Sequence, residues 1–365
     1  MSAIKGIFEE YGPAYIKKFE GDMPENHKKV INDIISCRTE KCGMTVYKCP
    51  DCETFHHVYQ SCGNRHCPIC QHQKALDRMD RQLERALPGH HFMVTFTVPE
   101  EIRDFIRSHQ KDGYGAMFKS SSDTLKKLSL DEQYIGGNQP GFFGVLHTWG
   151  RTMQYHPHIH YVVAGGALSG KDGLWHPSRV DFYLPVKALS KMYKAKFRDL
   201  MIKEGHFDQI PSEVWDKGWN VNVQAVGNAE NTIKYLSRYV FQVAISDYRI
   251  VKVEDGNVTF KYRKQGSSRD RHMTLDVMEF IRRFLQHVLP TGFMKVRYYG
   301  FLNPNAAVKL EEVRGLTELY YEFEVQTPKI EVEPQKPLLC PHCGGELEYF
   351  CLVLPHEMIP KRDTG

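Results

Sequence analysis

Three histidines and two tyrosines have the residue types and spacing that chemistry would need. Residues 155–164 read Y-H-P-H-I-H-Y-V-V-A. In an extended strand alternate side chains share a face, so His158 and His160 point the same way while Ile159 turns to the opposite, apolar side. Two imidazoles at that spacing can grip one divalent ion. His147 stands eleven residues ahead of His158 in another apolar run, and it reaches the same ion if the two runs pair as a hairpin. His156 shares the face but precedes Pro157, where the strand has not necessarily begun. Three protein ligands with open positions make a catalytic rather than a structural metal site.

Tyr235 and Tyr239 are four apart in I-K-Y-L-S-R-Y-V-F-Q, so a helix sets both hydroxyls on one face. Aromatic pairs at this spacing commonly pack a core, but Lys234 and Arg238 flank these two. No cysteine falls between Cys70 and Cys340, and no G-x-S-x-G elbow supplies another nucleophile. A tyrosine hydroxyl, ordinarily titrating near pH ~10, becomes a better nucleophile beside a cation that also polarises a phosphodiester. Attack would leave a 5′-phosphotyrosine and a free 3′-hydroxyl, and the covalent bond conserves the energy for rejoining without ATP. A second tyrosine would let another strand be cut before the first is released.

Seven of the ten cysteines lie between Cys37 and Cys70, and the other three close the chain. Cys49-x-x-Cys52 and Cys67-x-x-Cys70 are separated by fourteen residues, close to the two-knuckle pattern of a four-cysteine zinc site. Cys37, Cys42, Cys62 and His66 remain nearby, and they either form a second, interleaved site or serve in part as small core residues, with His56 or His57 as alternative ligands. Cys340 and Cys343 make a further half-knuckle that Cys351 or His356 could complete, or that binds no metal. Lys74, Arg78, Arg81 and Arg85 recur at steps of four, three and four, forming a basic stripe suited to a DNA backbone. Asp77, Asp80 and Glu84 interleave with them, as in an ordinary salt-bridged face. Lys261, Arg263 and Lys264 add a second basic cluster for single-stranded DNA, with a solvated loop as the plain alternative.

These groups need elements to position them. Residues 91–98, 144–149, 159–164 and 221–226 have strand-like apolar content, with a hairpin between the second and third. Residues 228–243 read as a helix with Asn228 as N-cap, and residues 274–288 as another, stopped by Pro290. Antiparallel strands with inserted helices give an α+β fold. Residues 326–337 read as a linker because their prolines and charges cannot pack a core. The 365 residues, 41% hydrophobic and 25% charged, suit a globular protein of two or three domains. No apolar leader or membrane-length run is present, so no membrane partner is expected. Reduced cysteines then suggest metal sites in a cytoplasm. A net charge of +4 permits a nucleic-acid partner without arguing for one.

The motif His158-Ile159-His160 followed by Tyr235-x-x-x-Tyr239 resembles the HUH endonucleases. The tyrosines follow the histidines, as in replication initiators and transposases and unlike conjugative relaxases. Three further segments narrow the resemblance: S-C-G-N-R-H-C-P-I-C at 61–70, L-H-T-W-G at 146–150, and E-F-I-R-R-F-L-Q-H-V-L-P at 279–290 with Y-Y-G-F-L at 298–302. From about residue 37 to 302 the chain looks like the insertion sequence ninety-one type of transposase, although Thr45 stands where that pattern often has a histidine. The resemblance implies an HUH domain with a central antiparallel sheet flanked by helices (89–302), an N-terminal zinc-binding, DNA-recognising module (1–88) and a C-terminal extension (303–365). It further implies structural Zn²⁺, Mg²⁺ or Mn²⁺ at His147, His158 and His160, and Tyr235 and Tyr239 as nucleophiles. The expected partner is single-stranded DNA at element ends and target in the nucleoid, and because no G-x-x-x-x-G-K-[ST] motif appears, strand separation falls to a host helicase or the DNA is already single-stranded. A rolling-circle replication initiator would use the same residues, whereas a non-enzymatic zinc regulator would leave the histidines and tyrosines idle.

Overall fold

A computed structural model describes residues 2–71, 85, 87–228, 244–264, 266–322 and 337–355. In chain order the principal elements are α1 (Ala3–Phe19), α2 (Glu25–Ser36), β1 (Met44–Lys48), β2 (Phe55–Tyr59), β3 (His90–Thr97), α3 (Arg103–Ser108), α4 (Gln110–Ser129), β4 (Gln139–Trp149) and β5 (Tyr155–Leu168). They continue as β6 (Trp175–Pro177), α5 (Val186–Lys203), β7 (Val221–Asn228), β8 (Ile250–Glu254), β9 (Asn257–Arg263), β10 (Asp270–Asp276), α6 (Val277–Leu285), β11 (Val296–Tyr299), α7 (Leu310–Tyr321) and β12 (Glu348–Val353). The fold is α+β, with antiparallel sheets flanked by helices.

Two compact units are built from interleaved stretches: Met1–Lys74, Ile245–Val288 and Lys329–Gly365 form one, and Ala75–Ala244 with Leu289–Pro328 form the other. This partition differs from the expected linear division at 88/89 and 302/303, because residues 245–288 and the C-terminal tail join the N-terminal unit.

The second unit is organised by a six-stranded sheet in the order β11-β4-β5-β3-β7, with β6 added to β5. All its pairings are antiparallel. Strand alternation divides its faces. Phe92, Val94 and Phe96 of β3, Phe142 and Leu146 of β4, and Ile159, Tyr161 and Val163 of β5 share one large core with Met117, Phe118 and Leu125 of α4 and Leu189, Tyr193 and Phe197 of α5. Within it the Tyr161 hydroxyl lies 2.7 Å from Ser121 Oγ, which satisfies a phenol that burial would otherwise penalise. The residues between them face the other way, where Met93, Phe143, Val145 and Val162 form a smaller cluster.

All four expected strands of this sheet exist, though three run longer than the apolar periodicity alone suggested. The helix expected over 228–243 lies outside the described residues except at Asn228, the last residue of β7, and residues 326–336 of the expected linker do too. The helix expected over 274–288 is shorter: Thr274, Leu275 and Asp276 belong to β10, and α6 begins at Val277. Asp276 sets that start, because its carboxylate accepts from the backbone N–H of Met278 and Glu279.

In the first unit, α1, α2 and α6 bury Ile7, Phe8, Ile31, Ile34, Phe280 and Ile281, and Phe8 meets Phe284 edge-on at 5.0 Å. A three-stranded sheet β10-β9-β8 belongs here, as does a second one, β12-β1-β2. In the second sheet the C-terminal strand pairs with β1 from Met44–Val353 to Lys48–Glu348.

Candidate metal centres and active site

The long β4–β5 hairpin assembles the histidines. Its register sets His147 opposite His158 and Val145 opposite His160, so the three rings crowd onto the sheet face turned away from α4 and α5. Their centroids are 5.4 Å (147–158), 4.9 Å (147–160) and 4.7 Å (158–160) apart. One ligand nitrogen from each lies within 4.8 Å of the others. His156 comes next, its ring 5.1 Å from that of His158, but it is not one of the converging three.

Hydrogen bonds orient two of the rings. His158 Nδ1 is 2.7 Å from the His156 carbonyl. A carbonyl can only accept, so this nitrogen carries the proton and Nε2 keeps its lone pair. His160 Nδ1 is 2.9 Å from Thr95 Oγ1, on the neighbouring strand where Thr95 pairs with His160. The His147 ring stacks on Trp149 with centroids 4.7 Å apart and planes 20° from parallel. Burial pushes the pKa of His158 down to about 4 and that of His160 down to about 3. At neutral pH both are therefore uncharged donors, the form a metal requires. Three nitrogen donors on one side of an ion leave positions for substrate oxygens.

The expected hairpin thus brings His147, His158 and His160 together. Sequence reasoning missed Thr95, although its place was legible: in H-F-M-V-T-F-T-V the threonines fall on the alternation opposite Phe92, Val94 and Phe96.

The cysteines group differently from the expectation. Cys49, Cys52, Cys67 and Cys70 do not converge. Cys67 and Cys70 instead join Cys37 and Cys62, while Cys49 and Cys52 join Cys340 and Cys343, each set with its sulfurs within 4.8 Å of one another. Sulfur separations are 3.5 Å (37–70) and 3.6 Å (62–70) in the first set, and 3.4 Å (49–343) and 3.7 Å (52–340) in the second. Thiolates at the corners of a tetrahedron about 2.3 Å from zinc would stand about 3.8 Å apart, so both sets are near the spacing that ion requires.

The physical reason for the regrouping is chain direction. Cys49 ends the β1 side of a hairpin whose other partner is β12, whereas Cys37 follows α2 and meets the Cys67 turn directly. Cys42 belongs to neither set; its thiol donates to the Ser36 carbonyl at 3.1 Å. His66 also lies outside both sets, its backbone N–H bonded to Asn64 Oδ1 at 2.8 Å. Cys351, a strand residue of β12, is likewise outside them. In the first set, thiols of Cys62 and Cys67 hydrogen-bond to Cys70 and hold it well below the ordinary thiol range, while Cys62 is pushed up. Thr54, donating to Cys52, lowers that thiol to about 6 in the second set.

Of the expected nucleic-acid contacts, Lys74, Arg78, Arg81, Lys234 and Arg238 lie outside the described residues, as do both candidate nucleophiles, Tyr235 and Tyr239. Arg85 is engaged within the protein: its guanidinium donates to the Leu302 carbonyl and lies 4.9 Å from the Tyr298 ring centroid. Lys261 sits over Tyr248 at 5.6 Å, Arg263 pairs with Asp270 at 2.5 Å, and Lys264 is exposed.

Comparisons with known proteins place this chain in a family. Residues 141–309 match the family described as "Putative transposase", and residues 7–98 match the "Transposase zinc-binding domain". The chain is 33% identical to the protein named "Putative transposase y4qJ" of Sinorhizobium fredii over 349 residues, covering 89% of this chain and 87% of that one. It is 24% identical over 363 residues to the "Transposase for insertion sequence element IS801" of Pseudomonas savastanoi pv. phaseolicola, covering 92% and 86%. The chain belongs to the IS91-type transposases that carry an N-terminal zinc-binding domain. It is therefore a DNA-processing protein rather than a zinc regulator. No helix among the described residues is long and apolar enough to cross a membrane.

Proposed function

We propose that this transposase cuts and rejoins single-stranded DNA at the ends of an insertion element by tyrosine transesterification, in a rolling-circle mode. The observation that carries the reading is the convergence of His147, His158 and His160 on one face of the central sheet. His158 Nε2 is available because its Nδ1–H is committed to the His156 carbonyl, and Thr95 restrains His160. The residues fit a divalent ion, and an all-nitrogen donor set suits Mn²⁺ better than the harder Mg²⁺. Such an ion, when bound, supplies Lewis-acid polarisation of the scissile phosphate.

Tyr235 or Tyr239 serves as the nucleophile. Its phenolic oxygen forms a bond to phosphorus, the bond from phosphorus to the 3′-oxygen breaks, and that oxygen leaves as a hydroxyl after taking up a proton. The strand remains attached through a 5′-phosphotyrosine. Attack by a 3′-hydroxyl on this linkage reverses the chemistry and joins a new strand without ATP. Lys74, Arg78, Arg81, Lys234, Arg238, Lys261 and Lys264 are the basic residues offered to DNA phosphates, Arg85 and Arg263 being already engaged within the protein. Cys37, Cys62, Cys67 and Cys70 hold structural zinc. The protein acts in the bacterial nucleoid, on strands that a host helicase has separated or that are already single.

Labelled single-stranded DNA carrying the element's ends, incubated with protein and Mn²⁺, tests this. The expected result is a protein–DNA adduct that survives denaturant, disappears with EDTA, and is absent in the Tyr235→Phe/Tyr239→Phe double variant. Cleavage with no adduct, or an adduct persisting in the double variant, assigns the nucleophile elsewhere and overturns the reading.

A further inference from the structure

The second thiolate set draws its ligands from opposite ends of the chain, and its two halves are built alike. Cys49-Pro50-Asp51-Cys52 and Cys340-Pro341-His342-Cys343 share more than their spacing. In each, the first cysteine's backbone N–H donates to the carbonyl five residues on, Cys49 to Thr54 at 2.9 Å and Cys340 to Gly345 at 2.7 Å. In each, the residue after the second cysteine adopts a left-handed conformation, Glu53 at φ 58° and Gly344 at φ 79°. That backbone turns the chain tightly enough to aim both sulfurs of a knuckle at one point. The Cys67–Cys70 turn is of another kind, because its chain runs on as helix from Pro68.

The two matching knuckles face each other. Cys49 and Cys343 sulfurs are 3.4 Å apart and Cys52 and Cys340 sulfurs 3.7 Å, well beyond disulfide length and close to a shared-ion spacing. The approach is close enough that a Cβ added to Gly345 would fall 2.0 Å from Asp51 Oδ2. His56 Nε2 lies 3.3 Å from Cys340 Sγ, where an N–H would support a thiolate from outside the ligand set. The surrounding sheet has little apolar core to bring four thiols together: among the residues of β1, β2 and β12, Val46 alone is buried.

We propose that Cys49, Cys52, Cys340 and Cys343 form a second structural zinc site, which fastens the knuckle at 340–343 and strand β12 to the N-terminal module. The matched zinc-binding family region ends at residue 98, so two of the four ligands lie some 240 residues beyond it. The zinc module is then complete only when the chain's C-terminal region has been made.

Metal analysis of the full-length protein tests the site. Two zinc ions per chain are expected from the two thiolate sets, falling to one in the C340S/C343S variant. Cysteine alkylation of the wild type gives a measurement independent of how variants fold. Cys52 and Cys343 are exposed, so burial cannot shield them and coordination must. Both are expected to resist iodoacetamide in the zinc-loaded protein and to react on chelation. A wild type holding one zinc that survives C340S/C343S, or Cys52 and Cys343 alkylated in zinc-loaded protein as fast as free thiols, overturns the proposal.

Discussion

The histidine trio and the cysteine clusters are both groupings that could hold a metal ion, yet they stand on very different supports. His147, His158 and His160 project from paired central strands whose opposite face packs a large core against α4 and α5. That hairpin would hold its register with no ion, because Ile159, Tyr161 and Val163 are anchored by burial. The β12-β1-β2 sheet has almost no such anchor. Its side chains are mostly exposed, including Phe55, Tyr349 and Phe350. In the first region the fold itself positions the three rings, and on the proposed reading an ion would only add chemistry. In the second, on the proposed zinc site, the ligands themselves would supply the cohesion, so that ion binding and folding would be one process. Catalytic and structural metals thus differ in which partner, protein or ion, is already ordered.

That contrast predicts its largest effect on metal removal. Exhaustive chelation should abolish the β12-β1-β2 sheet, seen as loss of amide protection over residues 44–59 and 339–353 by hydrogen exchange, while β3, β4 and β5 remain protected. Equal loss of protection in both regions would remove the distinction.

Acid should strain the histidine face next. Burial lowers His91, His156 and His158 to about 4 and His160 to about 3. An unfolded chain takes up protons on these groups near pH ~6.5, while the folded one resists until pH about 4. Stability is therefore full above the unfolded value, falls as pH drops from there, and levels only below about 3, once His160 too has taken up its proton. In metal-free protein the urea midpoint should drop over that window by the equivalent of about 2 kcal/mol or more. All four tryptophans, Trp149, Trp175, Trp215 and Trp219, belong to this unit, so their fluorescence reports on it. A midpoint flat from pH 7 to 4 would mean that these histidines are not buried as described.

The smallest effect sharpens the trio itself. Thr95→Val removes the hydroxyl beside His160 Nδ1 and keeps the strand's shape. Mn²⁺ affinity should weaken about tenfold, the usual cost of losing an orienting partner, with the melting temperature nearly unchanged. Unaltered affinity would leave Thr95 as packing only.

How much of this was legible in the sequence follows from distance along the chain. The histidine site was readable because His147 and His158 are eleven residues apart on two strands whose alternation fixes both register and face. The start of α6 was misjudged because Thr274 and Leu275 fit a helical apolar pattern as well as a strand's, and Asp276 as cap decides between them. The cysteine grouping was out of reach for a stronger reason. Counting spacings favours near neighbours, whereas Cys49 and Cys52 find their partners through a strand pairing between residues 44–48 and 348–353. No sequence signal separates the pairs, because C-P-x-C recurs at 49–52, 67–70 and 340–343 and Glu53, unlike Gly344, is no residue type that favours the positive φ it adopts.

The central claim is that the trio holds the ion on which strand cleavage depends. Isothermal titration of Mn²⁺ into zinc-loaded protein tests it most directly, comparing wild type with His158→Ala/His160→Ala. One additional ion per chain is predicted for wild type, with binding lost in the variant while its tryptophan fluorescence and zinc content stay the same. Undiminished Mn²⁺ binding by a folded His158→Ala/His160→Ala protein would contradict the account.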